Sequence, residues 1–270
     1  MVYIVSILHL GPGMDKFLSV AITSARKAGK IIKKGFYLKK AVEKKGKVNL
    51  LTKYDTQCEK LIVQTIKKHF PSHSILAEEG TSSDKTGEYR WIIDPLDGTT
   101  NFVHSIPFVA VSIALEKNGE LILGVVYNPI LNELFTAVKG RGAYLNLKQR
   151  LYVSNVDKII NCLVATGFPY DRFHIAKELG RTVEKMCANA KGLRRTGSAS
   201  MDLCYVANAR FDAYFEKDLK PWDIAAGMII VMEAGGVICD YFGNNVDFNV
   251  CDIVACGHEI KNELLELLRK

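Results

Sequence analysis

The stretch Trp91-Ile92-Ile93-Asp94-Pro95-Leu96-Asp97-Gly98-Thr99-Thr100-Asn101 constrains this chain more than any other. Its apolar start reads as a short buried strand that delivers two carboxylates, Asp94 and Asp97, onto a turn built from Pro95 and Gly98. Pro95 fixes its own φ and pushes Asp94 to an extended conformation, and Gly98 admits a left-handed backbone, so the turn is stiffly specified. Two oxygen donors three residues apart, with the Leu96 carbonyl between them and the Thr99 hydroxyl just after, make a ligand set for a hard divalent cation such as Mg²⁺. An ordinary type I turn with an Asp-Gly exit has the same composition.

The residues Asp94-Pro95-Leu96-Asp97-Gly98-Thr99-Thr100-Asn101-Phe102 resemble the signature of the inositol monophosphatase family of Mg²⁺-dependent, lithium-sensitive phosphatases. Trp222-Asp223-Ile224-Ala225-Ala226-Gly227, followed by Glu233-Ala234-Gly235-Gly236, is similar to that family's other signature, and Ala77-Glu78-Glu79-Gly80 to a segment upstream. The resemblance runs from about Met14 to the C-terminus. It implies a layered αβ fold, the five-layer α-β-α-β-α sandwich of the inositol monophosphatase and fructose-1,6-bisphosphatase type.

A chain of 270 residues buries an ample core as one large domain or two lobes. Its seven cysteines are scattered and show no paired spacing, which argues for reduced thiols in a cytoplasmic protein and against a zinc site or a disulfide framework. Residues 1–10 are apolar but lack a basic start and are too short to span a bilayer, so no membrane partner is expected. Residues 1–13 are expected to form an upstream extension, 14–153 an N-terminal lobe with the metal-binding turn, and 154–270 a C-terminal α/β lobe. The net charge of +7 is spread along the chain. Its densest cluster, Lys39, Lys40, Lys44, Lys45 and Lys47, reads as a solvated loop or as a steering field for phosphate. A small phosphate ester is the expected partner, a nucleic acid is not.

Residues 15–36 have apolar positions at helical spacing. A second helix follows Thr52, with Asp55 at its start as an N-cap or first-turn acid. The resemblance instead pairs Asp55 with Thr99. Strand 74–77 ends in Glu78-Glu79, ordinarily a solvated pair; the resemblance selects Glu78 as a metal ligand and leaves Glu79 behind it. Residues 81–88 read as a polar loop, and 99–104 as a helical turn whose N–H groups face a phosphate. His104 reads as a surface or capping histidine rather than a general acid. Residues 108–115, 121–127, 133–138 and 142–145 read as an antiparallel meander. Strands at 162–167, 193–196, 211–215, 237–239 and 253–256 then alternate with helices, one of which starts at Pro221 and carries Asp223 in its first turn. Such alternation after a meander indicates a layered fold with two sheets.

The resemblance implies that Glu78, Asp94 and the Leu96 carbonyl hold one ion, and Asp94, Asp97 and Asp223 a second, with a third, weaker ion on Glu78. With Asp55 behind them, these acids bring up to five negative charges into one cleft. Carboxylates about 4–5 Å apart repel by roughly 3–4 kcal/mol per pair at an effective dielectric near 20, so two or three Mg²⁺ ions are needed to neutralise the cluster. Catalysis would rest on Glu78, Asp55 and Thr99, with Thr99 positioning a metal-activated water. Substrate contacts fall to Gly98, Thr99, Gly197, Ser198, Ala199, Glu216 and Arg172, and less firmly to Lys44. An acid at Glu216 suits a polyol. Arg172, Arg194 and Arg195 exceed the needs of a monophosphate and leave a bisphosphate open. The expected activity is hydrolysis of inositol 1-phosphate by a homodimer. The rivals are a fructose-1,6-bisphosphatase, a nucleotide 3′-phosphatase, and a module that binds RNA or a transcription complex.

Overall fold

A computed structural model describes residues 12–39, 41–45, 49–82, 87–169, 172–248 and 252–269. The expected extension at 1–13 lies almost wholly outside these residues, as do Lys40 and Lys47 of the Lys-rich cluster. Helix α1 (Pro12–Gly35) begins three residues earlier than its periodicity suggests. A small hairpin, β1 (Glu43–Lys45) and β2 (Asn49–Leu51), occupies the Lys-rich stretch that reads as a loop. Helix α2 (Lys53–His69) follows and leads to β3 (Ser74–Ala77) and β4 (Tyr89–Asp97).

The meander is present: β5 (Ala110–Lys117), β6 (Glu120–Asn128), β7 (Glu133–Val138), β8 (Gly142–Leu145) and β9 (Gln149–Arg150) continue the sheet in sequence order. Strand β3 pairs parallel to β4, and every later pair in this seven-stranded sheet is antiparallel. The second sheet has the order β11-β10-β12-β14-β13. Its strands are β10 (Leu163–Thr166), β11 (Gly192–Arg194), β12 (Ala213–Glu216), β13 (Val237–Cys239) and β14 (Ile253–Cys256). Helices α3 (Thr99–Val103), α4 (Ala176–Asn189), α5 (Ala199–Ala207), α6 (Pro221–Glu233) and α7 (Lys261–Arg269) complete the chain.

Period-two alternation sorts the strand residues into layers. Trp91, Ile93, Val111 and Ile113 pack with α1 and α2, in a core with Ala21, Ile32, Cys58 and Ile62. Ile92, Ala110, Ala114 and Val126 point the other way, onto α5 and α6. The same central core takes Ala165, Tyr214 and Ala255 from the inner face of the second sheet. That sheet's outer face, with Val164, Phe215 and Val254, packs on Met186 of α4 and on Leu264 and Leu268 of α7. The layers are therefore α-β-α-β-α. Helix α6 is apolar all round because it is covered on both sides, and it lies so close to α5 that a Cβ on Gly227 would stand 2.5 Å from Leu203.

Two details depart from the sequence reading. The expected turn at Asp94–Gly98 is a continuation of β4, whose register against β5 shifts between Asp94 and Asp97. A proline is tolerated at such a bulge because no ladder N–H is required there. The cations are also not spread along the chain but weighted toward its N-terminal part. Residues 12–69 hold fifteen Lys and Arg against four Asp and Glu, whereas 70–270 hold 21 against 25. Lys16, Arg26, Lys27, Lys30, Lys33 and Lys34 of α1 are all exposed, and α2 adds exposed Lys53, Lys60 and Lys68.

Candidate active site

The bulge at the end of β4 carries Asp94 and Asp97 to the edge of the main sheet, both nearly inaccessible. Asp94 Oδ1 accepts the Leu96 N–H at 2.8 Å, which closes a tight Asx-type turn around Pro95. Burial pushes the Asp94 carboxyl well above the usual range, and the like charges of Glu78, Asp97 and Asp223 push it further. Gly98 then adopts φ +85° and starts α3; a Cβ there would lie 2.9 Å from the Phe108 carbonyl, so both dihedral and space require glycine.

Thr99 opens α3, and its Oγ1 lies 2.9 Å from Asp55 Oδ1 and 3.1 Å from the Leu96 carbonyl. The expected pairing with Asp55 is present. Asp55 also has the alternative role read from its position, because its Oδ2 accepts the Thr52 N–H at 2.8 Å and the Thr52 hydroxyl at 2.5 Å, capping α2. Burial raises its carboxyl, while the bonds from Thr52 and Thr99 lower it.

Asp97 is met by the second half of the chain. Its Oδ2 accepts the Ser198 hydroxyl at 2.7 Å, the Ser200 N–H at 2.8 Å and the Ser200 hydroxyl, at the N-terminus of α5. Burial raises its carboxyl and these donors pull it back. Asn101 Nδ2 ties the Phe108 and Thr196 carbonyls, each at 2.8 Å, and so locks α3 to the Gly197-Ser198-Ala199 loop. Asp223 occupies the first turn of α6, where its Oδ2 accepts the Lys220 N–H at 2.7 Å. Its carboxyl is raised well above normal by burial and by Asp97, Glu78 and Glu216, against the pull of the Lys220 bond.

Glu216 is the last residue of β12. Tyr214 donates its phenol to Glu216 Oε2 at 2.5 Å, and the carboxylate covers Gly167 so tightly that a Cβ would meet Oε2 at 1.8 Å. Burial lifts its carboxyl to about 7, while Tyr214 and the Arg195 guanidinium act against that rise. Arg195 bears on Glu216 and on the buried Asp202, and its Nη1 lies 2.7 Å from where a Gly197 Cβ would stand. Arg172 lies over the Phe173 ring at 5.7 Å, and His104 sits exposed at the far end of α3. The Lys44 side chain is outside the described residues.

Ser200, Asn101, Asp202 and Glu59 also shape the site and escape the sequence reading. Only Glu59 leaves a usable signal there, four residues after Asp55 on the same helical face. Among the described residues no three His, Cys, Asp or Glu side chains already stand in ion-holding geometry. Asp94, Asp97 and Asp223 are each turned onto a nearby donor instead. Their chemistry nevertheless fits Mg²⁺: every donor is a hard oxygen, and the charges that weigh on Asp94 are themselves carboxylates, so a divalent cation would relieve their mutual repulsion.

A five-layer sandwich with an oxygen-only carboxylate cluster at the end of its main sheet is the architecture of a metal-dependent phosphatase. Residues 13–270 match the model of the inositol monophosphatase family, and the chain belongs to that family, whose members are generally Mg²⁺-dependent. Inositol monophosphatase 2 of Solanum lycopersicum is 43% identical over 265 residues, covering 95% of this chain and 99% of the relative. Nus factor SuhB of Haemophilus influenzae is 42% identical over 259 residues, covering 95% and 97%. Among solved structures, extragenic suppressor protein suhB from Bartonella henselae superposes with a TM-score of 0.89 at 38% identity, covering 94% of this chain and 99% of that one. Inositol monophosphatase from Anabaena gives a TM-score of 0.86 at 36% identity, covering 95% and 96%.

Proposed function

We propose that this protein is a Mg²⁺-dependent phosphomonoesterase that hydrolyses inositol 1-phosphate to inositol and phosphate. The observation that carries the reading is Asp94, buried under the like charges of Glu78, Asp97 and Asp223, one short turn from a Thr99 hydroxyl bonded to Asp55. Glu78, Asp94 and the Leu96 carbonyl would hold one ion and Asp94, Asp97 and Asp223 another, with a weaker third on Glu78. Bound Mg²⁺ supplies charge neutralisation, a water of lowered pKa and stabilisation of the leaving alkoxide.

The chain's own groups do the rest. Thr99 spends its proton on Asp55 and keeps lone pairs to accept a hydrogen bond from the attacking water, which fixes the direction of attack. Asp55 cannot swing away, because Thr52 holds its other oxygen. The Gly98 and Thr99 backbone would take the phosphate, and the Gly197-Ser198-Ala199 loop with Glu216 would meet the hydroxyls of a polyol. Arg195, beside Gly197 and Glu216, joins Arg172 as a candidate for a second phosphate, which favours a bisphosphate as the second reading. The basic outer face of α1, together with relatives named Nus factor, makes RNA the third.

The test is phosphate release from inositol 1-phosphate, fructose 1,6-bisphosphate and a nucleoside 3′-phosphate, with and without Mg²⁺, for the wild type and Asp94→Asn. Mg²⁺-dependent release that the variant loses supports the reading, and the ratio of rates ranks the substrates. Metal-independent release, or full activity in Asp94→Asn, would refute it. RNA binding that weakens steeply with salt and survives Asp94→Asn would support the third reading. The proposal places the protein in the cytoplasm as a homodimer, which light scattering tests. No helix among the described residues is long and apolar enough to cross a membrane.

A further inference from the structure

One buried acid close to the site has no part in the mechanism above. Glu59 stands one helical turn beyond Asp55 on α2, so the two carboxylates share a face, and it is 4% exposed. Its Oε2 accepts the Glu79 N–H at 2.7 Å, and its Oε1 accepts the Thr81 N–H at 3.1 Å and the Thr81 hydroxyl at 2.6 Å. All three donors belong to the corner that follows β3. There the Ala77 N–H donates to the Thr81 carbonyl at 3.0 Å, Leu76 and Ser82 bridge, and Gly80 takes φ 108°. The corner is wrapped around a carboxylate brought by a neighbouring helix. Glu78 lies inside it, and its own N–H donates to the Ile93 carbonyl at 3.2 Å, one residue before Asp94.

We infer that Glu59 is a positioning residue: its carboxylate holds the 78–81 corner so that Glu78 is presented beside Asp94, and it thereby sets the affinity of the site for divalent cations. The inference rests on the reading of Glu78 as a ligand. The Glu78 N–H is held by β4, and the Glu79 N–H that follows it is held by Glu59. Bonds from N–H to an ionised carboxylate are about twice as strong as neutral ones. Glu59→Gln keeps the shape but turns an NH₂ toward donors, so at least one N–H of the corner loses its acceptor. The corner then relaxes, and the Glu78 carboxylate must be ordered by the cation itself. Because α2 carries Asp55 and Glu59 on one face, the same helix aligns Thr99 and Glu78.

The experiment titrates Mg²⁺ into the metal-stripped full chain, without substrate, and reads calorimetric binding and the melting midpoint; turnover at saturating Mg²⁺ is a second readout. Glu59→Gln is expected to fold cooperatively and to bind Mg²⁺ about tenfold or more weakly, while turnover at saturation stays within about threefold. Thr81→Val, which removes one bond of the three, should weaken Mg²⁺ less, and exposed Lys60→Ala should change nothing. Unchanged Mg²⁺ affinity in Glu59→Gln overturns the inference, even if the metal-free melting point falls, since that pattern marks a plain structural brace. If Glu59→Gln does not fold, Thr81→Val decides, and unchanged affinity there overturns it. A wild type that binds no Mg²⁺, or an Asp94→Asn variant that binds it normally, would instead sink the metal site on which the inference depends.

Discussion

Asp94→Asn should make the metal-free protein more stable and the Mg²⁺-loaded protein relatively less so. Asn keeps an oxygen for the Leu96 N–H, so the turn around Pro95 survives, while the buried charge disappears. One like-charge pair at about 5 Å costs roughly 3 kcal/mol at an effective dielectric near 20. Side-chain relaxation and partial protonation reduce this, and replacing buried charge elsewhere has stabilised proteins by about 1–4 kcal/mol. For a chain of this length about 1 kcal/mol moves the melting point by roughly 2 °C, so a gain of about 2–8 °C is expected in chelator. Mg²⁺ at about a hundred times its dissociation constant adds ~2.7 kcal/mol to the wild type, near 5 °C, and little to the variant.

The pH dependence has a definite sign. The folded carboxyls of Asp94, Asp97 and Asp223 are raised, so the stability they contribute is fully present below the ordinary carboxylate range of about 4 and is lost as pH rises above it. The metal-free wild type should therefore melt progressively lower from about pH 4 toward 7, and the variant less steeply. Differential scanning calorimetry in chelator and in Mg²⁺ at several pH values measures all of this. A variant less stable than the wild type in chelator, or an equal Mg²⁺ shift in both, would refute the reasoning.

Thr99→Ala should lower kcat by about 100-fold or more while the metal-free melting point moves little, and Thr99→Ser should restore most of the rate. Gly167→Ala drives a methyl into the Glu216 carboxylate, and steady-state kinetics should show KM for a polyol phosphate rising more than kcat falls; its overpacking costs about 1–3 kcal/mol in urea titration. Glu216, lifted to about 7, contributes stability that is full below about 4.5 and lost as pH rises through about 7; Glu216→Gln should flatten that slope, worth up to about 3 kcal/mol. Gly98→Ala forces a left-handed alanine against the Phe108 carbonyl, and thermal melting should show a loss of about 1–3 kcal/mol together with activity.

Local pattern carried much of the fold. The 74–77, 142–145, 237–239 and 253–256 strands stand where their apolar runs place them, and Pro221 and Gly235 bound α6 as their backbone preferences require. The acids that open α2 and α6 were equally legible, because a capping acid is specified by neighbours three residues away. Less legible was Asp94 to Asp97, read as a turn and found as a bulged strand, since pairing with β5 is a property of two segments.

By itself, then, the sequence determined most of the elements and the layered class and singled out the candidate acids, because periodicity, caps and the Asp94 signature act within a few residues. Only the tertiary structure decided what those acids meet. Ser198 and Ser200 reach Asp97 across more than a hundred residues, Arg195 rather than Arg172 bears on Glu216, and Glu59 holds the Glu78 corner from another helix. The exposed cations of α1 and α2, from Lys16 to Lys34 and at Lys53, Lys60 and Lys68, likewise fall in one outer layer only when the two helices pack on the main sheet. Such contacts depend on how layers stack, and stacking is set by the burial of whole faces rather than by any short run of residues.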